Sequence, residues 1–97
     1  MRLTLHQQTT IKKLTTEIFG SDARLMLFGS RINDNAKGGD IDLYIETKDA
    51  DATLDKKIKL LTALNLALDE QKIDLVVNNF NKEKAIYTIA KETGIEL

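Results

Sequence analysis

The stretch LFGSRINDNAKGGDIDLYI, Leu27 to Ile45, holds two short apolar runs separated by a loop rich in Asn, Asp and Gly. The second run, Asp40 to Glu46, alternates Ile41, Leu43 and Ile45 with Asp40, Asp42, Tyr44 and Glu46. That period of two predicts a strand with one apolar and one polar face. The first run begins at Arg24 and ends at Phe28 (RLMLF), bounded by Ser21-Asp22 and Gly29, and is too short for a helix. It reads as a buried strand. Asn33-Asp34-Asn35 and Gly38-Gly39 mark the loop between the two.

Working outward, Thr4 and Gln7 have the capping-box spacing, and Leu5, Ile11, Leu14 and Ile18 recur at helical intervals up to Gly20. A first helix over 4–19 follows. Asp51 caps a second helix carrying Leu54, Ile58, Leu61, Leu64 and Leu68 on one stripe, closed by Asp69-Glu70. A third strand over 72–77 turns Ile73, Leu75 and Val77 one way and Asp74 and Val76 the other, with Asn78-Asn79 as a turn. Asn81 caps a last helix through Thr93, packed by Ala85, Ile86, Ile89 and Ala90 and stopped by Gly94. The expectation is a single α+β domain spanning 1–97 in the order α-β-β-α-β-α. Its small mixed sheet is covered by three helices on its apolar face, and the opposite face is left open.

Composition narrows the function. Of the 97 residues, 42% are hydrophobic and 30% charged, which supports a packed core and argues against disorder. Net charge is -1, so no global positive field exists to hold a nucleic-acid backbone, and direct nucleic-acid binding is not expected. There is no cysteine and a single histidine, which excludes disulfide scaffolds, thiolate zinc sites and a cysteine nucleophile. No run of about 18 apolar residues is present for a membrane span. A cytoplasmic protein without a membrane association is the expectation.

The polar face of the sheet carries an unusual charge. Asp40 and Asp42 project from the same side of one strand, and Asp74 repeats the pattern on another. Clustered carboxylates repel unless a cation compensates, and hard oxygen donors of this kind suit Mg²⁺ together with a nucleotide's phosphates. Upstream, Gly29 permits close backbone approach and Ser30 offers an N–H and a hydroxyl to phosphate, with Arg31 and Lys37 adding positive charge. Taken singly, an Asp-x-Asp is commonly the solvated face of an edge strand and a Gly-Ser an ordinary turn. The joint pattern is what carries weight.

Gly29-Ser30, nine residues, then Asp40-Ile41-Asp42, with a later strand bearing Asp74, resembles the DNA polymerase β superfamily of nucleotidyltransferases, and more narrowly its minimal nucleotidyltransferases. The resemblance extends in element order over essentially the whole chain. It implies the polymerase β palm-like fold, with Gly29 and Ser30 on the β- and γ-phosphates of ATP as substrate. Asp40 and Asp42 would coordinate two Mg²⁺ ions, with Asp74 joining them and helping to activate the acceptor hydroxyl. Arg31 matches an arginine that many minimal members carry at this point.

Minimal nucleotidyltransferases are typically encoded beside HEPN-domain proteins, so the resemblance also implies a partner. In that family the nucleotidyltransferase is the antitoxin of a toxin–antitoxin pair and transfers AMP to a tyrosine hydroxyl of the HEPN toxin (AMPylation). The acceptor site comes either from such a partner or from self-association into a homo-oligomer, since about twenty residues follow the third strand. Two other readings stand beside it. One is a non-catalytic antitoxin that masks the partner, and the other, disfavoured for want of a drug-binding domain, is a small-molecule (aminoglycoside-type) transferase. His6 is read as a surface residue, Tyr44 as a ring on sheet neighbours with its hydroxyl in water, Tyr87 as packing, and Lys56, Lys57 and Lys59 as a solvated face.

Overall fold

A computed structural model describes residues 3–29, 41–48, 53–68, 72–80 and 83–97. The element order is α1 (Leu5–Phe19), β1 (Arg24–Phe28), β2 (Ile41–Glu46), α2 (Thr53–Ala67), β3 (Ile73–Asn78), α3 (Ala85–Thr93) and β4 (Ile95–Glu96). The expected order holds, with a short fourth strand added. The strands lie in the order β3-β2-β1-β4. β1 pairs antiparallel with β2 and with β4, whereas β2 and β3 are parallel. A parallel pair needs a crossover, and α2 supplies it. The sheet is therefore mixed, as expected.

Two of the helix boundaries have a clear local cause. At the start of α1 the Gln7 N–H donates to Thr4 Oγ1 at 3.0 Å and the Thr4 N–H donates to Gln7 Oε1 at 2.9 Å, a complete capping box. Lys84, not Asn81, is the cap of α3, and no side chain bonds there. Asn81, Asp51 and the Asp69-Glu70 pair lie outside the described residues. Gly94 ends α3 in an extended conformation, φ -80°, so backbone freedom is not its reason. A Cβ there would run into the Ala90 carbonyl of α3 and lie 3.1 Å from that of Leu27, so the closeness of the helix's own last turn, with β1 crowding behind it, requires the glycine.

The helices do not share one face, which corrects the expected layering. α1 and α2 cover the side of the sheet formed by Leu25, Leu27, Leu43, Ile45 and Leu75, using Ile11 and Phe19 from α1 and Leu60 and Leu64 from α2, with Leu68 just beyond it. α3 lies on the other side, where Ala90 and the half-buried Tyr87 pack on Met26, Phe28, Tyr44 and Val76. Two helix orientations differ from the periodicity reading accordingly. On α2 the buried line is 60-64, continued by Leu68 just past its end, leaving Leu54 and Ile58 largely exposed, and on α1 Leu5 is exposed. On α3 the single buried position is Ala90, with Ile89 52% exposed, because a nine-residue helix touches the sheet along a narrow line. Among the described residues no helix is long and apolar enough to cross a membrane.

Candidate active site

Register places the aspartates. Phe28 of β1 is the antiparallel partner of Asp42, and Asp74 of β3 is its parallel partner on the other side. Register partners in a parallel pair point to the same face, about 4.8 Å apart along the hydrogen-bonding direction. Asp42, half-buried, and Asp74, exposed, thus stand side by side at the start of their strands. The Ile41 N–H donates to the Lys72 carbonyl at 2.9 Å and aligns the two strands just before the carboxylates.

Gly29 closes the third side of this corner. It follows directly on Phe28 and has φ 77°, in the left-handed region that side chains disfavour. The space a side chain would take is already filled, because a Cβ on Gly29 would collide with Asp42 Oδ2 and sit 3.0 Å from its Cγ. Glycine is required here twice over, by dihedral angle and by the approach of its main chain to a carboxylate. Ser30, Arg31 and Asp40 lie outside the described residues, as does Lys37. Of the expected site residues, Gly29, Asp42 and Asp74 are therefore the ones brought together.

The donor set fits a divalent cation. Two neighbouring carboxylates are hard oxygen ligands, and Mg²⁺ is commonly held by one or two of them while water and phosphate oxygens complete its octahedron. No group of three or more metal-ligating acidic, His or Cys side chains gathers among the described residues. The main chain at Gly29 approaches the Asp42 carboxylate with no side chain between them.

Further along the same face, the sequence reading missed a buried polar network. Tyr44 is 1% exposed. Its hydroxyl, expected in water, donates instead to Glu46 Oε2 at 2.9 Å and accepts from Asn78 Nδ2 at 3.0 Å. Burial raises its pKa above the usual phenol value, and the Glu46 carboxylate adds to this while the Asn78 bond opposes it. Glu46, also buried, meets Arg24 at 3.3 Å and Lys91 of α3 at 3.4 Å. Tyr87 is packing, as expected: its ring lies 5.9 Å from that of Tyr44, and its hydroxyl donates to the Val77 carbonyl at 3.2 Å. His6 is exposed, also as expected. The alternation of β2 already put Tyr44 and Glu46 on the aspartate face; Asn78, expected in a turn, is instead the last residue of β3 and shares that face. What hid the network was the expectation that this face stayed open.

A hairpin of β1 and β2, a parallel return strand, paired strand carboxylates and a glycine main chain against one of them define a nucleotidyltransferase type of domain. The family model described as Polymerase beta, Nucleotidyltransferase matches residues 5–96, and the chain belongs to that family. No curated protein matches it.

Proposed function

We propose that this chain is a Mg²⁺-dependent protein adenylyltransferase that moves AMP from ATP to the tyrosine hydroxyl of a HEPN-domain partner, acting as its antitoxin. The observation that supports transfer chemistry most directly is the Asp42–Asp74 pair beside Gly29. The partner and the tyrosine rest on the resemblance of Gly29-Ser30-Arg31 and Asp40-Ile41-Asp42 to minimal nucleotidyltransferases.

In this reading the acceptor hydroxyl oxygen bonds to the α-phosphorus of ATP, the bond from that phosphorus to the α–β bridging oxygen breaks, and pyrophosphate leaves. Bound Mg²⁺ supplies charge neutralisation on the triphosphate and lowers the pKa of the attacking hydroxyl. Asp40, Asp42 and Asp74 are the residues that hold it. The main chain of Gly29, with Ser30 and Arg31, holds the β- and γ-phosphates, and Asp74 receives the hydroxyl proton. Holding donor and acceptor in line is the larger part of what so small a domain contributes.

The test is transfer of α-labelled AMP from ATP with Mg²⁺, with the protein alone and with the product of its neighbouring gene. Label on the neighbour that disappears in Asp40→Asn and Asp42→Asn supports the reading. A stable complex without label replaces it with a masking antitoxin.

A further inference from the structure

We infer that the cleft between α3 and the far ends of β2 and β3 is a second ligand site, independent of the Asp42–Asp74 corner, that takes a planar, uncharged heteroaromatic ring of the nucleobase kind. The cleft has a volume of about 500 Å³. Pockets of roughly 300–1,000 Å³ are the size in which small ligands are held. It lies on the aspartate face, lined along β2 by Tyr44 and Glu46, two and four residues from Asp42. At about 3.3 Å per residue the cleft runs from roughly 7 to 13 Å away from Asp42, and Gly29, Asp42 and Asp74 do not line it.

Its walls are aromatic. Tyr87 forms one side, and Phe80 stands at the mouth, 61% exposed. Phe80 has φ 64°, where a bulky residue is strained. Backbone strain of this kind persists only where its surroundings enforce it, and it concentrates at ligand clamps and active sites. Here the enforcement is visible. The Phe80 N–H donates to Asn78 Oδ1 at 2.8 Å, and Asn78 is itself buried and bonded to the Tyr44 hydroxyl. A buried network thus holds an aromatic ring out in water, at the edge of a cavity, in a conformation the chain resists.

The polar groups select against an ion. Glu46 and Glu83 line the cleft together with Lys84 and Lys91, so the charges cancel, and Glu46 already meets both Arg24 and Lys91. An anion or a cation gains little from such a balanced rim. A neutral ring with donors and acceptors on its edge gains more. Thr88 lines the cleft, and Asn78, having given one amide hydrogen to Tyr44, keeps a second. Stacking on Phe80 and Tyr87 supplies affinity, and the Asn78 and Thr88 edge supplies orientation.

The ring could belong to a free nucleoside or to a nucleotide anchored at Asp42, and the experiment separates these. The full chain, labelled with ¹⁵N, is titrated with adenosine, guanosine, cytidine and uridine without Mg²⁺, and separately with ATP and Mg²⁺, while amide shifts are followed. At least one nucleoside is expected to give saturable shifts centred on Asn78, Phe80 and Thr88. In Phe80→Gly the affinity falls about tenfold or more, the value of one lost stacking partner, while the thermal midpoint is equal to or above that of the parent because the strain is gone. In Asp42→Asn nucleoside affinity stays within about twofold of the parent. Absence of saturable shifts with every nucleoside overturns the proposal, as do cleft shifts seen with ATP and Mg²⁺ alone or nucleoside shifts centred on Gly29 and lost in Asp42→Asn. AMP transfer is a separate readout: its failure with cleft binding intact rejects the adenylyltransferase reading and leaves this site standing.

Discussion

Asp42 and Asp74 are register partners on parallel strands, so the backbone itself sets their spacing and no side-chain rotamer can carry the strand positions apart. Like charges directly opposite one another in a sheet cost roughly 0.2–1 kcal/mol. Asp74→Asn removes one of them and is expected to hold or raise the unfolding free energy by that amount in urea titrations without Mg²⁺. Nucleotidyl transfer by the same variant is expected to fall about 10²-fold, the scale of losing one electrostatic contributor at a reacting centre. A variant that is more stable and less active marks carboxylates kept for chemistry; one that is less stable and equally active marks Asp74 as structural.

Gly29→Ala should be damaging out of proportion to a single methyl. A left-handed backbone costs an L side chain about 1–2 kcal/mol, and the added carbon also displaces the Asp42 carboxylate. A total loss of at least about 2 kcal/mol in chemical denaturation is expected, with transfer activity abolished even where the variant remains folded. Full activity in a folded Gly29→Ala protein would mean that Asp42 has another place to go.

Tyr44 makes alkaline pH a structural variable. Its folded pKa is raised above the unfolded value near 10 by burial, so the neutral phenol is the stabilised form. The sign follows from linkage: the contribution is fully present below pH of about 10 and is lost as pH rises through the folded value. Stability measured against pH should therefore decline above about pH 10 in the parent, and Tyr44→Phe should flatten that decline. At neutral pH the same variant should cost roughly 1–2 kcal/mol, because Glu46 and Asn78 lose a buried partner. An unchanged alkaline limb in Tyr44→Phe would assign the decline to other groups.

Thr15 points the opposite way. It is buried in α1, and its Oγ1 is a buried side-chain atom with no hydrogen-bond partner among the described residues. A buried hydroxyl without a partner costs about 1–3 kcal/mol. Thr15→Val keeps the shape and removes the polar atom, so it should raise the thermal midpoint, with a gain of about 1 kcal/mol. A loss of stability would show that the hydroxyl does have a partner.

The strands were the readable part of this sequence. RLMLF, IDLYIE and the run after Lys72 carry their pattern over five or six residues, and they fall where the alternation puts them. The capping box at Thr4 was equally plain. Helix facing was harder, because Leu54 and Ile58 fit the same 3.6-residue period as Leu64 and Leu68, and only the crossing of α2 over the sheet decides which leucines are covered. The third layer did leave a trace in β1. Leu25, Met26, Leu27 and Phe28 are apolar on both sides of the strand, which a sheet with one open face does not need. At the site, Gly29, Asp42 and Asp74 were legible as residue types and spacings. Tyr44, Glu46 and Asn78 were not, since their partnership depends on α3 arriving from above.

The two-sided sheet also sets an order of release. Among the described residues, thirteen buried ones tie α1, α2 and the strands together on one side, whereas four form the buried cluster beneath α3 on the other. Segments with few buried contacts open at lower free energy than the global unfolding step. The amides of α3 should exchange with solvent deuterium well before those of β2. In that opened form Tyr44 and Glu46 meet water while Asp42 and Asp74 keep their register, so the strand that bears the carboxylates outlasts the roof above its far end.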